Sequence, residues 1–168
     1  MSTLQVENLI GPTSGSNANK VIIPSGQTLD ASNGFVAPAG HVIQVVQNIG
    51  LAVTTSSATP TTFASGTITI QANSKVHISC VGDMNSGGVS HWNYYRIYRG
   101  TIAVSNRYIG QAEQTSHNLP FSIQYLDQPS GAGTYTYNVK GWQGVGTMTY
   151  GETGTVQAPT VILMEIAG

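Results

Sequence analysis

The chain has 168 residues, of which six are basic and seven acidic, so only 8% are charged and the formal net charge is −1. A typical soluble domain is about 25% charged, and disordered segments combine low hydrophobicity with high net charge, whereas 40% of this chain is hydrophobic. These values exclude a disordered chain, and the lack of a basic patch excludes nucleic acid as the expected partner. Apolar runs are far shorter than the roughly 20 residues of a membrane-spanning helix, so no membrane insertion is expected.

The first 40 residues contain only short strand-like pieces, such as Leu4–Ile10 and Val21–Ile23, separated by turn-rich stretches. Such pieces cannot close a core alone. We therefore expect residues 1–40 to form an extended anchor or shaft segment that packs against copies from other chains. Met1-Ser2-Thr3 lacks the charged start and apolar core of a signal peptide, which predicts synthesis in a cytoplasm.

Longer strands are predicted from His41 onward, because apolar residues alternate with period two and no sustained helical pattern occurs. The predicted strands are Val42–Ile49, Thr67–Ile70, Lys75–Gly82, His91–Arg99, Ile102–Val104, Phe121–Tyr125, Tyr135–Val139 and Thr160–Ile166. Seven or more strands at a spacing of roughly ten residues predict an all-β sandwich or jelly roll over residues 41–168.

Few residues offer metal-binding or nucleophilic chemistry. The four histidines lack the close pairs of a local metal site, although His77 and His91 could meet on neighbouring strands. Cys80 is the only cysteine, and it falls on the core side of its predicted strand, where a thiol behaves as a small hydrophobe. We therefore expect no metal, no cofactor and no enzymatic activity.

The acidic residues leave one enzymatic alternative open. A glycosidase needs two facing carboxylates, and Asp83, Glu113 and Glu152 fall in predicted loops that could converge at one end of a sandwich. Asp127 precedes Gln128-Pro129 and is expected to be a turn residue whose side chain binds backbone amides.

Aromatic rings beside polar loops are the candidate groups for binding a glycan. Trp142 and Tyr150 lie in the glycine-rich stretch Gly141–Gly154, and His117 and Asn118 lie in another predicted loop. Loops on a rigid sandwich are a common place for recognition. Packing in the core or at a subunit interface is the alternative interpretation of both aromatic residues.

The predicted strand His91–Arg99 has aromatic residues on both faces. Tyr95 and Ile97 share the face assigned to the core. Interface cores are enriched in Tyr, Trp and Arg, so the opposite face is predicted to meet a neighbouring subunit. The candidate interface residues are Trp92, Tyr94, Arg96, Tyr98 and, as a partner for Arg96 on the last strand, Glu165.

Five segments in chain order resemble the landmarks of short bacteriophage fibre and virion proteins. They are Met1–Leu9 followed by Thr13-Ser14-Gly15, Pro38–Val46, Arg96–Thr101, Tyr125–Pro129 and Ile162–Ile166. The resemblance implies a homotrimer on a phage particle, with a C-terminal jelly roll of the tumour-necrosis-factor (TNF) or C1q type. It also implies that the N-terminal segment attaches to other virion proteins of the capsid, portal or tail.

Residues and resemblance together predict a non-enzymatic structural component of a virion, made in the cytoplasm of a bacterial host. It would be a short fibre, knob or decoration protein, and a host surface glycan is a further possible partner. Two alternatives stay open: a carbohydrate-binding module that trimerises, and a capsule depolymerase. The depolymerase is disfavoured because such phage enzymes generally need several hundred residues of β-helix.

Overall fold

The computed structural model of the chain describes residues 12–16, 18, 20–22, 24–27, 37–56, 58–86, 91–112, 118–144, 146–151 and 158–168. The chain divides into two compact units, Met1–Val36 and Ala37–Gly168. Among the described residues of the first unit are two turns, closed by hydrogen bonds from Ala18 N to Gly15 O (3.1 Å) and from Gln27 N to Pro24 O (3.0 Å). Val21 and Ile22 of the predicted strand-like piece belong to no strand. The predicted strand-like piece Leu4–Ile10 lies outside the described residues.

The described part of the second unit is all-β. Its strands are β1 (Val42–Ile49), β2 (Val53–Thr55), β3 (Thr61–Ile70), β4 (Lys75–Ser86), β5 (His91–Arg99), β6 (Ile102–Ala103), β7 (Tyr108–Ala112), β8 (Asn118–Asp127), β9 (Gly133–Gln143), β10 (Met148–Tyr150) and β11 (Thr160–Ile166). The predicted strands are all present, and the prediction of an all-β chain is confirmed for these residues. The short strands β2, β7 and β10 were not predicted.

Two antiparallel sheets make up this unit. In sheet A, β11 lies between β1 and β4, β8 pairs with the other side of β4, and β10 joins the end of β4 to β2. In sheet B, the order is β3, β9 and β5, with β6 and β7 following one another along the free side of β5. The sequence neighbours β3, β4 and β5 therefore alternate between the sheets.

The core lies between the two sheets, because each long strand turns alternate side chains inward. The strands β4, β9 and β11 contribute fully buried apolar residues such as Ile78, Val139 and Leu163, and each such side chain stabilises the fold by about 1.5–3 kcal/mol. At one end of the core, the ring of Tyr150 stacks on that of Phe63 with centroids 4.3 Å apart.

Hydrogen bonds from the edge strand β1 hold one side of the sandwich closed. The Gln44 Nε2 group donates to Thr69 O (2.6 Å), and the Asn48 Nδ2 group donates to Ser65 O (2.9 Å), both on β3 of the other sheet. Gln44 and Asn48 alternate with outward-facing residues of β1. Gln44, Val46 and Asn48 therefore face sheet B, and Val46 packs against the core, whereas Val45, Gln47 and Ile49 face away from it.

Candidate interaction surfaces

The three described residues among the four predicted to bind a glycan do not form one site. Trp142 lies on β9, at the outer face of sheet B. Tyr150 is fully buried and donates a hydrogen bond from its Oη to Tyr94 O (2.7 Å), so its ring is not available to a ligand at the surface. Asn118 begins β8 in sheet A and accepts a hydrogen bond from Asn85 Nδ2 (2.8 Å). His117 lies outside the described residues.

The residues of β5 take the two faces that their alternation predicts. Tyr95 and Ile97 are buried, while Trp92 is 50% exposed. Tyr94 stacks on Trp142 with ring centroids 5.6 Å apart. The guanidinium of Arg107 lies 4.7 Å from the centroid of the same Tyr94 ring.

A group of aromatic and cationic side chains therefore covers part of the outer face of sheet B. Lys140 joins it, with its Nζ 4.8 Å from the centroid of the Tyr98 ring. Arg96 joins it as the direct cross-strand neighbour of Lys140. We call this group the aromatic–cationic strip: Trp92, Tyr94, Arg96, Tyr98, Arg107, Lys140 and Trp142.

Glu165, predicted to meet Arg96 across a subunit interface, is fully buried inside its own chain. Its carboxylate accepts hydrogen bonds from Gln44 Nε2 (2.6 Å) and from the Gln71 backbone N–H (2.7 Å). Burial by itself would raise the pKa of Glu165, but hydrogen bonds from Gln44, Gln71 and Ser74 outweigh it and hold that pKa below its ordinary value. Glu165 is therefore not available to a neighbouring subunit.

Asp127 differs from its prediction as a turn residue. It is the last residue of β8 and is buried, and its Oδ2 atom accepts hydrogen bonds from Arg99 Nη1 and Tyr137 Oη, both at 2.7 Å. Burial, followed by the bond to Asp127, raises the pKa of Tyr137 far above its ordinary value, so the phenol stays a neutral donor. The carboxylate thus joins β8 of sheet A to β5 and β9 of sheet B.

The outer face of sheet A is a surface that the sequence did not reveal. Cross-strand pairing places Val45 beside Met164 on β11, then His77 on β4 and Leu126 on β8. Val45 is 56% exposed and Leu126 49%. We call the group of outward-facing apolar side chains on this sheet the apolar face: Val42, Val45, Ile49, Val81, Leu126, Ile162, Met164 and Ile166.

Charge is nearly absent from the strands that carry the apolar face. Among its described outward positions, only Lys75 and Asp83 are charged, and they lie near opposite ends of β4. The remaining outward positions are uncharged polar residues, such as Gln47 and Ser79. Exposed faces of antiparallel sheets normally consist of polar residues, so the apolar residues of β1 and β11 are a departure from the usual composition.

No cluster of three or more metal-ligating side chains occurs within the described ranges. His77 on β4 and His91 on β5 belong to different sheets, so they do not lie on neighbouring strands. Cys80 lies in the core as predicted, and its burial raises the pKa of the thiol to about 12, which keeps it protonated. Glu113 and Glu152 lie outside the described residues. No helix of the part that the structure describes could span a membrane.

Comparison with known proteins gives no family assignment. No protein-family model matches the chain, and no curated protein matches it in sequence. The similar solved structures include infectious bursal disease virus Gt strain, at 10% identity over 93% of this chain and 46% of that one, with a TM-score of 0.44.

Two further similar structures come from the same virus. One is the Gx strain, at 13% identity over 86% of this chain and 41% of that one, with a TM-score of 0.39. The other is a mutant VP2 protein in derived T=1 particles, at 11% identity over 93% of this chain and 44% of that one, with a TM-score of 0.40. The chain thus spans less than half the length of these proteins, and similarity at this level assigns no function to it.

Proposed function

We propose that the protein is a non-enzymatic structural component of a bacteriophage virion, built as a homotrimer whose subunits meet through the apolar face. In this proposal, residues 41–168 form a jelly-roll domain of the TNF or C1q type. Residues 1–40 attach the trimer to capsid, portal or tail proteins as a short fibre, knob or decoration protein.

The strand order supports the jelly-roll assignment. The strands β1, β11, β4 and β8 lie side by side in sheet A, and β3, β9, β5 and β7 lie side by side in sheet B. A jelly roll packs two sheets in this manner from eight principal strands. The extra strands β2, β6 and β10 are two or three residues long and extend the ends of these sheets.

The composition of the apolar face is the observation that carries the proposal. Six of its eight apolar side chains lie on the adjacent strands β1 and β11, β4 and β8 contribute one each, and Ile49 on β1 is 71% exposed. Interface cores are depleted in charge and enriched in apolar area, and large exposed apolar patches mark interaction sites. Low overall charge supports the same conclusion, because net charge is what keeps monomers apart.

The oligomeric state tests the assembly. We expect light scattering of the full chain at micromolar concentration to give three times the monomer mass. Val45→Lys places a charge among the exposed apolar residues of β1 and β11 and should give a folded monomer, because burying an unpaired charge is costly. Thr67→Lys is the matched control, since Thr67 is exposed on the outer face of sheet B. A wild-type chain that stays monomeric would overturn the trimer.

The particle tests the location. Peptides of this chain should be found by mass spectrometry in gradient-purified particles of the phage that encodes it, and should remain after a high-salt wash. A cryo-electron microscopy map should then show three-fold density that accounts for its mass on the head or tail. Particles that lack the chain would overturn the structural role, whatever its oligomeric state.

A further inference from the structure

The three cations of the aromatic–cationic strip share one surface, with no described carboxylate beside them. The Arg99–Asp127 contact is the one ion pair that the described residues form, and it joins the two sheets on their inner side. Arg96, Arg107 and Lys140 are instead placed against aromatic rings or the backbone, as in the hydrogen bond from Arg96 Nε to Ser105 O (2.7 Å). The described residues of this surface therefore carry an excess of positive charge, on a chain whose net charge is −1.

Two of these cations project from directly paired positions of neighbouring strands. Arg96 on β5 and Lys140 on β9 are paired in the sheet register. Directly opposed side chains have Cβ atoms about 4.5–5.5 Å apart, and like charges in such pairs destabilise a sheet. An anion bound between them would remove this repulsion. It would also use the Nη groups of Arg96, whose planar fork suits carboxylate and phosphate oxygens.

A row of hydroxyl and amide groups continues the same face of sheet B away from the strip. Thr67 pairs with Thr136 through their Oγ1 atoms (2.9 Å), and Thr69 pairs with Thr134 in the same way (2.8 Å). These four threonines are exposed and uncharged. Such groups can exchange hydrogen bonds with sugar hydroxyls, and the half-exposed ring of Trp92 offers an apolar platform for a sugar C–H face.

We propose that the aromatic–cationic strip binds an acidic polysaccharide, a chain of sugars that carries carboxylate or phosphate groups. Arg96 and Lys140 hold an anionic group between them, Arg107 meets a second one, and Trp92 packs against a sugar ring. The proposal rests on the virion role proposed above and gives it a class of host-surface ligand. The β5 side of the strip spans about 20 Å from Trp92 to Tyr98, which leaves room for several sugar units.

The strip fits single-stranded nucleic acid less well. Proteins that bind such strands stack successive bases on open aromatic rings. Here a cation covers the Tyr94 ring and another covers the Tyr98 ring, and Trp142 also stacks on Tyr94. Base stacking would therefore be left mainly to Trp92, whereas an anionic glycan needs only one open ring beside several cations.

Calorimetry on the full-length assembly tests the ligand class with paired probes. The acidic probes are oligogalacturonate and oligosialate, which carry carboxylates, and a ribitol-phosphate polymer. The uncharged controls are methyl-esterified oligogalacturonate and dextran, and an oligo-dT strand tests the nucleic-acid alternative. We expect at least one acidic glycan to bind about tenfold or more tightly than its uncharged control, with an affinity that falls as salt rises. The preferred anion distinguishes a carboxylated capsule from a phosphate-bearing wall polymer.

Charge-removing variants locate the site. Arg96→Gln with Lys140→Gln should weaken binding by about tenfold or more, because two charge-assisted contacts are lost. Lys75→Gln removes one charge from the other sheet and should leave binding unchanged. Light scattering on each variant separates the proposed trimer from the proposed polysaccharide site. A variant that stays trimeric but loses binding tests the site alone. Equal binding of acidic and uncharged glycans, a preference for oligo-dT, or an undisturbed affinity in the double variant would overturn the proposal.

Discussion

At the scale of single residues, Asp127 is the polar residue that links the two sheets by hydrogen bonds. Its one carboxylate oxygen accepts hydrogen bonds from Arg99 and from Tyr137, whose side chain is completely buried. Arg99 keeps 26% of its side chain exposed, so water can replace the carboxylate there. The Tyr137 hydroxyl has no such access, and it is the group that loses most when Asp127 is removed.

Replacing Asp127 should therefore cost more than replacing its partner. We expect Asp127→Ala to lower the free energy of unfolding by about 2–4 kcal/mol, because a buried hydroxyl is left without an acceptor. Tyr137→Phe should cost about 1 kcal/mol, since it removes the donor and leaves Asp127 bound to Arg99. Urea unfolding measures both. If the unpaired Tyr137 hydroxyl causes the loss, the double variant should lose less unfolding free energy than the two single variants together. A loss equal to their sum would contradict this explanation.

Glu165 gives the stability of the fold a dependence on acid pH. Its pKa in the folded chain lies below the ordinary value of 4.5, so the unfolded chain takes up the proton first as pH falls. The stabilisation by the charged carboxylate is complete above about pH 4.5 and is lost as pH falls through the folded value. Glu165→Gln should abolish this contribution. Urea unfolding from pH 7 to pH 3 should show the free energy of unfolding of the wild type falling relative to that of Glu165→Gln. A difference between the two that does not change with pH would contradict this prediction.

At the scale of elements, the contact between β9 and β10 depends on a glycine. A Cβ atom added to Gly141 would overlap the ring of Tyr150, which is fully buried between the sheets and cannot move aside. A Cβ at Gly144 would meet only the Tyr94 ring, at an ordinary 3.8 Å. The missing side chain of Gly141 is therefore what lets Tyr150 lie across β9.

Gly141→Ala should destabilise the fold by about 1–3 kcal/mol, the usual cost of overpacking. Gly144→Ala is the matched control and should change the free energy of unfolding by less than about 0.5 kcal/mol. Thermal or urea unfolding of the two variants makes the comparison. Equal stability of both variants would mean that the Tyr150 ring shifts without cost.

Gly141 also explains why the end of β9 and the burial of Tyr150 were not predicted from the sequence. Period-two alternation revealed β4, β5 and β11, because each has one face in the core and its apolar residues recur at every second position. Glycine is depleted in strands, so Gly141 suggested a loop and placed Trp142 and Tyr150 at its rim. In the structure β9 continues through Gln143. The short β10 holds Tyr150 in the core through contacts that no local pattern encodes.

Contacts between residues far apart in the chain could not be predicted from the sequence for a similar reason. Arg99, Asp127 and Tyr137 come together only through the packing of the two sheets, and the turn chemistry before Pro129 was the only local indication for Asp127. The apolar outer face of sheet A was also hidden. Residues from β1, β4, β8 and β11 form it together, and the apolar positions of β1 and β11 read individually as core.

At the scale of the whole molecule, self-association should make stability depend on concentration. If three chains bury the apolar face together, the midpoint of thermal unfolding should rise as protein concentration is increased, by mass action. Val45→Lys should remove that dependence and lower the midpoint to one constant value. Differential scanning calorimetry over a hundredfold dilution measures both, and a wild-type midpoint that ignores dilution would speak against the assembly.

The position of β11 has a consequence for synthesis on the ribosome. Val42 of β1 pairs with Ile166 of β11, so about 120 further residues must be synthesised before the partner strand of β1 exists. At roughly 5–20 residues per second, that delay is about 6 to 24 seconds. During this interval the backbone of β4 is also unpaired on the side that β11 will occupy. The nascent chain should therefore recruit holdase chaperones until β11 has been made, and its yield of folded protein should rise with their supply.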